Sequence, residues 1–188
     1  MGHAPAPTGL LARWGGVSLV EQLERGNIDN RQFYELVTEA SACACRLPST
    51  SLPAGLRLDY PTFAYLYADI FTPVHSMIAA QQALAAAGVP TYCLSNCSGL
   101  HIDDVRQRYP FFSSFTGLVL SYEVRSFKPD PEIYAAAEDI TGLSGSDLLF
   151  IDDRSENAAA AAARGWKAIH HVSPAGTLAQ LRQLDLPL

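Results

Sequence analysis

From Pro73 onward, short apolar runs alternate with helical segments, and this alternation confines the chain to a small set of folds. Val74 to Ala87 reads as an alanine-rich amphipathic helix closed by Gly88, and Pro90-Thr-Tyr-Cys-Leu as a short strand ending at Ser95. Ile102 to Arg108 predicts a helix, Gly117-Leu-Val-Leu-Ser a strand, and Pro131 to Thr141 a helix whose prolines suit a first turn. Leu148-Leu-Phe-Ile predicts a buried strand, Glu156 to Arg164 a helix stopped by Gly165, and Lys167-Ala-Ile-His-His-Val a last strand. Strands separated by helices imply right-handed crossover units and a parallel sheet. Ligands of such sheets sit beyond the carboxyl ends of the strands, where Ser95 and Asp152 fall.

The stretch before Pro73 has a different rhythm. Leu19, Val20 and Leu23 recur at helical spacing, Gly26 stops that segment, and Asp29 can cap the next, which carries Phe33, Leu36 and Val37. Pro48, Pro53 and Gly55 mark a loop, and a further helix carries Phe63, Tyr65, Leu66, Tyr67, Ile70 and Phe71. The expected division is residues 1–73, an N-terminal segment and helical module, and residues 74–188, an α/β core.

With 188 residues, 48% hydrophobic and 17% charged, the chain can bury a substantial core. A net charge of −6 leaves no basic footprint for nucleic acid or an anionic membrane. Met77 to Tyr92 is interrupted by Gln81, Gln82, Gly88 and Pro90, short of the ~18 residues of a membrane span. The N-terminus lacks the basic-then-apolar order of a signal peptide, so the expected location is cytoplasmic. Cys43, Cys45, Cys93 and Cys97 have neither zinc nor redox spacing and read as reduced thiols.

The polar residues at the strand ends share one chemistry. A hydroxyl at Ser95 and backbone N–H groups at a following helix start can hold phosphate oxygens. An ammonium at Lys128 can stabilise developing phosphoryl charge, and the carboxylates of Asp152 and Asp153 can bind Mg2+ through oxygen. Each piece alone has a plainer reading, as a helix cap, a solvated lysine or a loop acid pair. Their order along the chain, each after its strand, gives them joint weight.

At these residues the chain resembles the haloacid dehalogenase superfamily of phosphatases and dehalogenases. Cys93-Leu-Ser-Asn resembles its second motif, Phe127-Lys-Pro-Asp-Pro-Glu-Ile-Tyr its third, and Phe150-Ile-Asp-Asp-Arg-Ser-Glu-Asn its fourth. Leu23-Glu-Arg-Gly-Asn-Ile-Asp looks like the start of the helical cap in the subgroup of sugar-phosphate phosphatases and small-molecule dehalogenases. The resemblance implies a three-layer Rossmann-like parallel sheet with a small helical cap. It also implies that Ser95 and Asn96 contact phosphate, that Lys128 stabilises nucleophile and transferring group, and that Asp152 and Asp153 hold Mg2+.

The family also requires a first strand ending in a nucleophilic Asp, and no such segment precedes the cap-like helix. Two alignments compete. In one, Leu10-Leu-Ala-Arg-Trp-Gly-Gly-Val is a degenerate first strand with Arg13 at the nucleophile position, where a guanidinium could pair with Asp152 or Asp153. In the other, which is favoured because Leu10, Leu11 and Trp14 fit helical spacing, Thr8 to Gly16 is a cap helix or the lead into one, and the first strand is absent. The sheet then either closes up or accepts a segment from a second chain, which makes a homodimer more expected than in an intact relative.

No other residue clearly restores a nucleophile. Cys97 lacks a paired His, and His101 reads better as a surface histidine than as an acid or base. Tyr60, Phe63, Tyr65, Tyr67 and Phe71 either pack the helical module onto the core or line a pocket for a small apolar or sugar-like substrate. Three functions survive. The first is a catalytically impaired hydrolase homologue retaining a site for phosphate and Mg2+, with a small phosphorylated molecule as partner. The second is a Mg2+-dependent phosphatase whose first strand is truncated or supplied by a partner. The third is non-covalent Mg2+-dependent chemistry in the same pocket.

Overall fold

The computed structural model describes residues 13–14, 17–44 and 58–188, with side chains from Ser18 to Thr38 and from Leu58 onward. The loop marked by Pro48, Pro53 and Gly55, the Cys43 and Cys45 side chains and the stretch before Arg13 lie outside those residues. Two short strands open the described chain: β1 (Arg13–Trp14) pairs antiparallel with β2 (Val17–Ser18), Arg13 opposite Ser18. Arg13 and Trp14 are thus extended and not helical, which corrects the favoured reading of Thr8 to Gly16 for these two residues. Their partner is β2 and not a strand of the core, so the other alignment gains no support as a sheet member.

Three helices follow, and each begins where a polar side chain satisfies free backbone N–H groups. In α1 (Leu19–Glu24) the Ser18 hydroxyl accepts from the Glu21 N–H at 3.0 Å. For α2 (Asn30–Ala44) the Asp29 carboxylate accepts from Arg31 and Gln32, and for α3 (Tyr60–Ala68) Asp59 accepts from Thr62. Gly26 ends the α1 segment at φ +67°, and a Cβ there would lie 2.2 Å from the Tyr122 carbonyl oxygen. Only glycine permits both that backbone and that approach. Leu19, Leu23 and Phe33 pack with Leu100, so these helices share a core with the helix that follows Ser95.

The remainder is a Rossmann-type α/β arrangement. Its order is α4 (His75–Ala86), β3 (Tyr92–Ser95), α5 (Gly99–Arg108), β4 (Gly117–Leu120), α6 (Ser121–Val124), α7 (Pro131–Thr141), β5 (Leu149–Asp152), α8 (Ser155–Ala163), β6 (Lys167–His170) and α9 (Pro174–Gln183). β3 pairs parallel with β4, Tyr92 opposite Gly117 and Ser95 opposite Leu120. β5 pairs parallel with β6, Leu149 opposite Lys167 and Asp152 opposite His170. Val119, Ile133, Tyr134, Phe150, Ala161 and Trp166 form the main core, with Tyr134, Phe150 and Trp166 meeting edge to face. Each large side chain buried there contributes about 1.5–3 kcal/mol.

The two strand pairs are separate sheets: among the described residues no strand hydrogen-bonds β3 to β5. The flanking strands have not closed up. Between them and their covering helices lies a groove of about 490 Å³, lined by Tyr92, Leu94, Val119, Phe150 and Ile151 among others. No helix among the described residues is long and apolar enough to cross a membrane.

Candidate active site

The carboxyl ends of β3 and β5 meet at one ammonium group. Lys128 Nζ donates to the Leu94 carbonyl at 2.8 Å and to Asp152 Oδ2 at 2.6 Å, and both partners of the ion pair are nearly buried, at 11% and 4% exposure. Lys128 lies in the connection between α6 and α7. Its placement follows from a clamp: the Asn96 amide accepts from the Lys128 N–H at 2.8 Å and donates to the Lys128 carbonyl at 2.9 Å. Asn96, expected to touch a ligand, here fixes the backbone that carries the lysine. Ser95, one residue earlier, is half-buried, and its hydroxyl makes no hydrogen bond within the described residues.

A second clamp holds the turn after β3. The Ser121 hydroxyl accepts from the Cys97 N–H at 3.0 Å and donates to the Cys97 carbonyl at 3.1 Å, with both residues buried. Burial pushes the Cys97 thiol up to about 12, so the thiolate that nucleophilic chemistry needs is suppressed. The start of α5 is packed over by the N-terminal helices: Ser98 and Leu100 are buried, and the Asn30 amide lies 3.0 Å from where a Cβ on Gly99 would stand.

Asp152 is held from several sides. Its Oδ1 accepts from the Arg154 N–H at 2.9 Å and from Asn157 Nδ2 at 2.8 Å, while Oδ2 takes the Lys128 ammonium. Those donors stabilise a charge whose burial would otherwise be costly. Asp153 differs in kind: its side chain is exposed, and its backbone carbonyl contacts His170 Nε2 at 3.1 Å. His171 contacts Thr177 through Nδ1 at 2.7 Å, a structural role at the base of α9. The structure thus gathers Asn96, Lys128 and Asp152 into one hydrogen-bonded unit, with Ser95 and Asp153 flanking it in sequence.

Two residues that sequence reasoning did not single out shape the site. Arg25, at the end of α1, lies over the Phe127 ring at 3.6 Å and donates to Asp130 at 2.8 Å, so it docks the N-terminal helices onto the segment bearing Lys128. The signal was present in Leu23-Glu-Arg-Gly, but its partner lies 105 residues away. Asn157, in the first turn of α8, supports Asp152 and leaves its own Oδ1 buried without a partner among the described residues.

His101 is the clear departure from expectation. It is buried at 5% exposure rather than on the surface, stacked on Tyr67 at 4.9 Å and met edge-on by Phe71. Desolvation lowers its pKa, which favours the neutral ring. The aromatic group divides accordingly. Phe63 and Tyr67 pack against Phe33, and Tyr34 meets Tyr60 and Phe63, whereas Tyr65 is 57% exposed.

Comparison with known proteins places this geometry in context. The sequence profile of the haloacid dehalogenase-like hydrolases matches residues 15–165. A sesquiterpene phosphatase of Aspergillus oryzae is 26% identical over 164 residues, covering 87% of this chain and 78% of that protein. An (S)-2-haloacid dehalogenase of Pseudomonas fluorescens is 32% identical over 133 residues, covering 68% of this chain and 56% of its own length, so the match spans little more than half of that relative. In fold, the chain superposes on a HAD family enzyme of Bacteroides thetaiotaomicron, crystallised in complex with magnesium and inorganic phosphate, with a TM-score of 0.66 at 21% identity, over 80% of this chain and 73% of that one.

Proposed function

The chain belongs to the haloacid dehalogenase-like hydrolases, and we propose that residues 13–188 form a phosphate-binding but catalytically impaired version of such a hydrolase site. The observation that carries this is the partner of Lys128. Among the described residues the carboxylate it meets is Asp152, 2.6 Å away, and Asp152 has both oxygens occupied by donors. A carboxylate whose charge is neutralised and whose lone pairs are engaged is a poor nucleophile. The ammonium shares that ion pair, but Leu94 O and Asp152 take only two of its three donors, and the third is suited to an oxygen of a small phosphorylated metabolite near the strand end at Ser95. In this reading Lys128 and Ser95 receive the phosphate, and Asn96 is a positioning residue acting through the Lys128 backbone. The helices before Pro73 serve as a cap docked through Arg25.

Mg2+ is the cofactor that the family resemblance assigns to Asp152 and Asp153. The donors as arranged do not fit it: the ammonium already stands 2.6 Å from Oδ2, and no cluster of three metal-ligating side chains gathers among the described residues.

Titration with inorganic phosphate, followed by calorimetry, tests the binding half of the proposal. The unaltered chain should bind, and Lys128→Ala should weaken binding at least about tenfold, one charge-assisted contact being worth ~1.5–3 kcal/mol. Turnover of a generic aryl phosphate should not exceed that of Lys128→Ala. Robust hydrolysis that this variant loses would refute the impaired reading, and unchanged phosphate affinity would refute the binding site.

A further inference from the structure

The outward face of α3 is largely apolar where a solvated helix would carry charge. Pro61, Thr62, Tyr65 and Leu66 recur at helical spacing on the exposed side, while Phe63, Ala64 and Tyr67 turn inward and pack with Leu19, Leu23, Phe33 and Leu100. The helix thus has apolar side chains on both faces, and only one of those faces has a core to join. Leu58, Tyr65, Leu66, Ile70, Phe71 and Val74 are left between 40% and 62% exposed. Among the described residues α3 packs on α5 and α2, and neither covers these side chains. The surface is fixed in place: Arg108 on α5 holds Asp69 at 2.6 Å, and the Tyr109 hydroxyl donates to the Phe71 carbonyl at 3.2 Å, so the turn carrying Ile70 and Phe71 is tied to α5.

We propose that this face docks a second copy of the chain, with two α3 helices crossing antiparallel about a twofold axis near Leu66. Three observations select that partner. The first is area: six large side chains left about half exposed, at 150–250 Å² for a whole aromatic one, amount to roughly 500 Å². With a polar rim added, this approaches the ~800 Å² that each partner gives to a stable interface. The second is charge. The chain carries −6, yet the charges bordering this face are paired among themselves, Arg31 with Glu35 beside Tyr60 at one end and Arg108 with Asp69 and Asp104 at the other. Neither a strongly basic nor a strongly acidic partner is called for, and two copies meet here without setting unpaired carboxylates against each other. An antiparallel crossing sets the Arg31 end of one copy across from the Asp69 end of the other and opposes the two helix dipoles. The third is composition: Tyr65 and Phe71 among Leu and Ile match the aromatic-rich, charge-poor centre of a protein interface.

The contact runs through the helical module and leaves Lys128 and the strand ends untouched, so it stands whether or not the site binds phosphate. It bears instead on how firmly that module is held. Tyr67 and Phe71 are the rings that enclose His101 on α5, and a second copy laid over Phe71 would press α3 against α5 from outside. Dimer formation would thereby stabilise the junction between the N-terminal helices and the helix that follows Ser95.

The test is sedimentation velocity on the full 188-residue chain from micromolar to submillimolar concentration. A dimer should appear with rising concentration, and the melting temperature should rise with it. Leu66→Lys and Leu66→Glu should each raise the dimer dissociation constant at least about hundredfold, because like charges then meet across the axis. An equal mixture of the two variants should associate again, since Lys faces Glu. Leu66 is exposed, so both variants should keep the circular dichroism of the unaltered chain. Hydrogen exchange of the unaltered chain, concentrated against dilute, gives a reading that needs no variant: exchange should slow in α3 and the turn through Phe71, and not in β5 or β6. A monomer at every concentration overturns the proposal, including one that instead binds neutral lipid vesicles through Tyr65. So does a dimer indifferent to both variants, a mixture that stays monomeric, or concentration-dependent protection confined to another element.

Discussion

The polar end of the sheet and the apolar interior directly below it are completed to different degrees. At the polar end, Asp152 accepts from three groups, Lys128 reaches both strand pairs and Asn96 holds both backbone groups of Lys128. Below, β3 and β5 share no ladder, and a groove separates them. In an ordinary parallel sheet the ladder positions the residues at its carboxyl ends. Among the described residues, side chains and connecting segments hold the two halves in relation, and no continuous sheet lies beneath the site.

If that is so, cutting the polar link should cost more than trimming the groove. Lys128→Met leaves Asp152 buried beside two neutral donors, and removal of one member of a buried pair costs about 3–5 kcal/mol. Urea unfolding followed by far-UV circular dichroism should show that loss. A cost below about 1 kcal/mol would mean that the ladders and cores of the two halves suffice, and the contrast would collapse. Asp152→Asn should cost a comparable amount: its amide oxygen can still accept from Arg154 and Asn157, but its NH2 would face the Lys128 ammonium and leave that charge without its carboxylate.

The next comparison is between two apolar side chains on either side of the boundary. Ile133 is fully buried on α7 against Val119 and its neighbours, whereas Leu94 on β3 is only partly buried beside the groove. Ile133→Ala should cost about 2–5 kcal/mol through lost contacts and a residual cavity. Leu94→Ala opens onto space that is already open and should cost about 1 kcal/mol, near the ordinary value for a point substitution. Equal costs would show that the groove is packed in solution.

Much of the α/β portion is legible in the sequence because its signals are local. Gly117–Leu120 and Lys167–His170 read as strands, and Gly88, Gly142 and Gly165 end their segments at positive φ. The candidate residues of the site are legible for the same reason: each follows a strand. Their mutual geometry is not. That Asn96 grips the backbone of Lys128, 32 residues on, and that Arg25 reaches Asp130 across 105, depends on how distant segments pack. Helix α9 gives little sequence signal because Pro174-Ala-Gly-Thr opens without an apolar stripe, although Ser173 caps it. His101 is misplaced by sequence reasoning because Gly-Leu-His-Ile-Asp-Asp looks amphiphilic on its own, and only the arrival of Tyr67 and Phe71 removes the ring from water.

That histidine supplies the smallest effect and separates the N-terminal helices from the sheet. Its pKa is lowered in the folded chain, chiefly by desolvation, so near neutrality and below it the unfolded state binds the proton more readily. Stability then rises with pH wherever the unfolded state holds more protons. The neutral ring's contribution is complete above the unfolded value of about 6.5 and is lost as pH falls below it towards the depressed folded value. Between about pH 7.5 and 5.5 the unaltered chain should lose stability that His101→Phe retains. Hydrogen exchange should assign the acid-induced opening to α3 and α5, which His101 joins, and leave the β5–β6 ladder protected. Equal pH dependence in the two proteins would remove His101 as the cause. Opening of β5–β6 at the same pH would show that the N-terminal helices and the sheet unfold as one cooperative unit rather than as regions of separate strength.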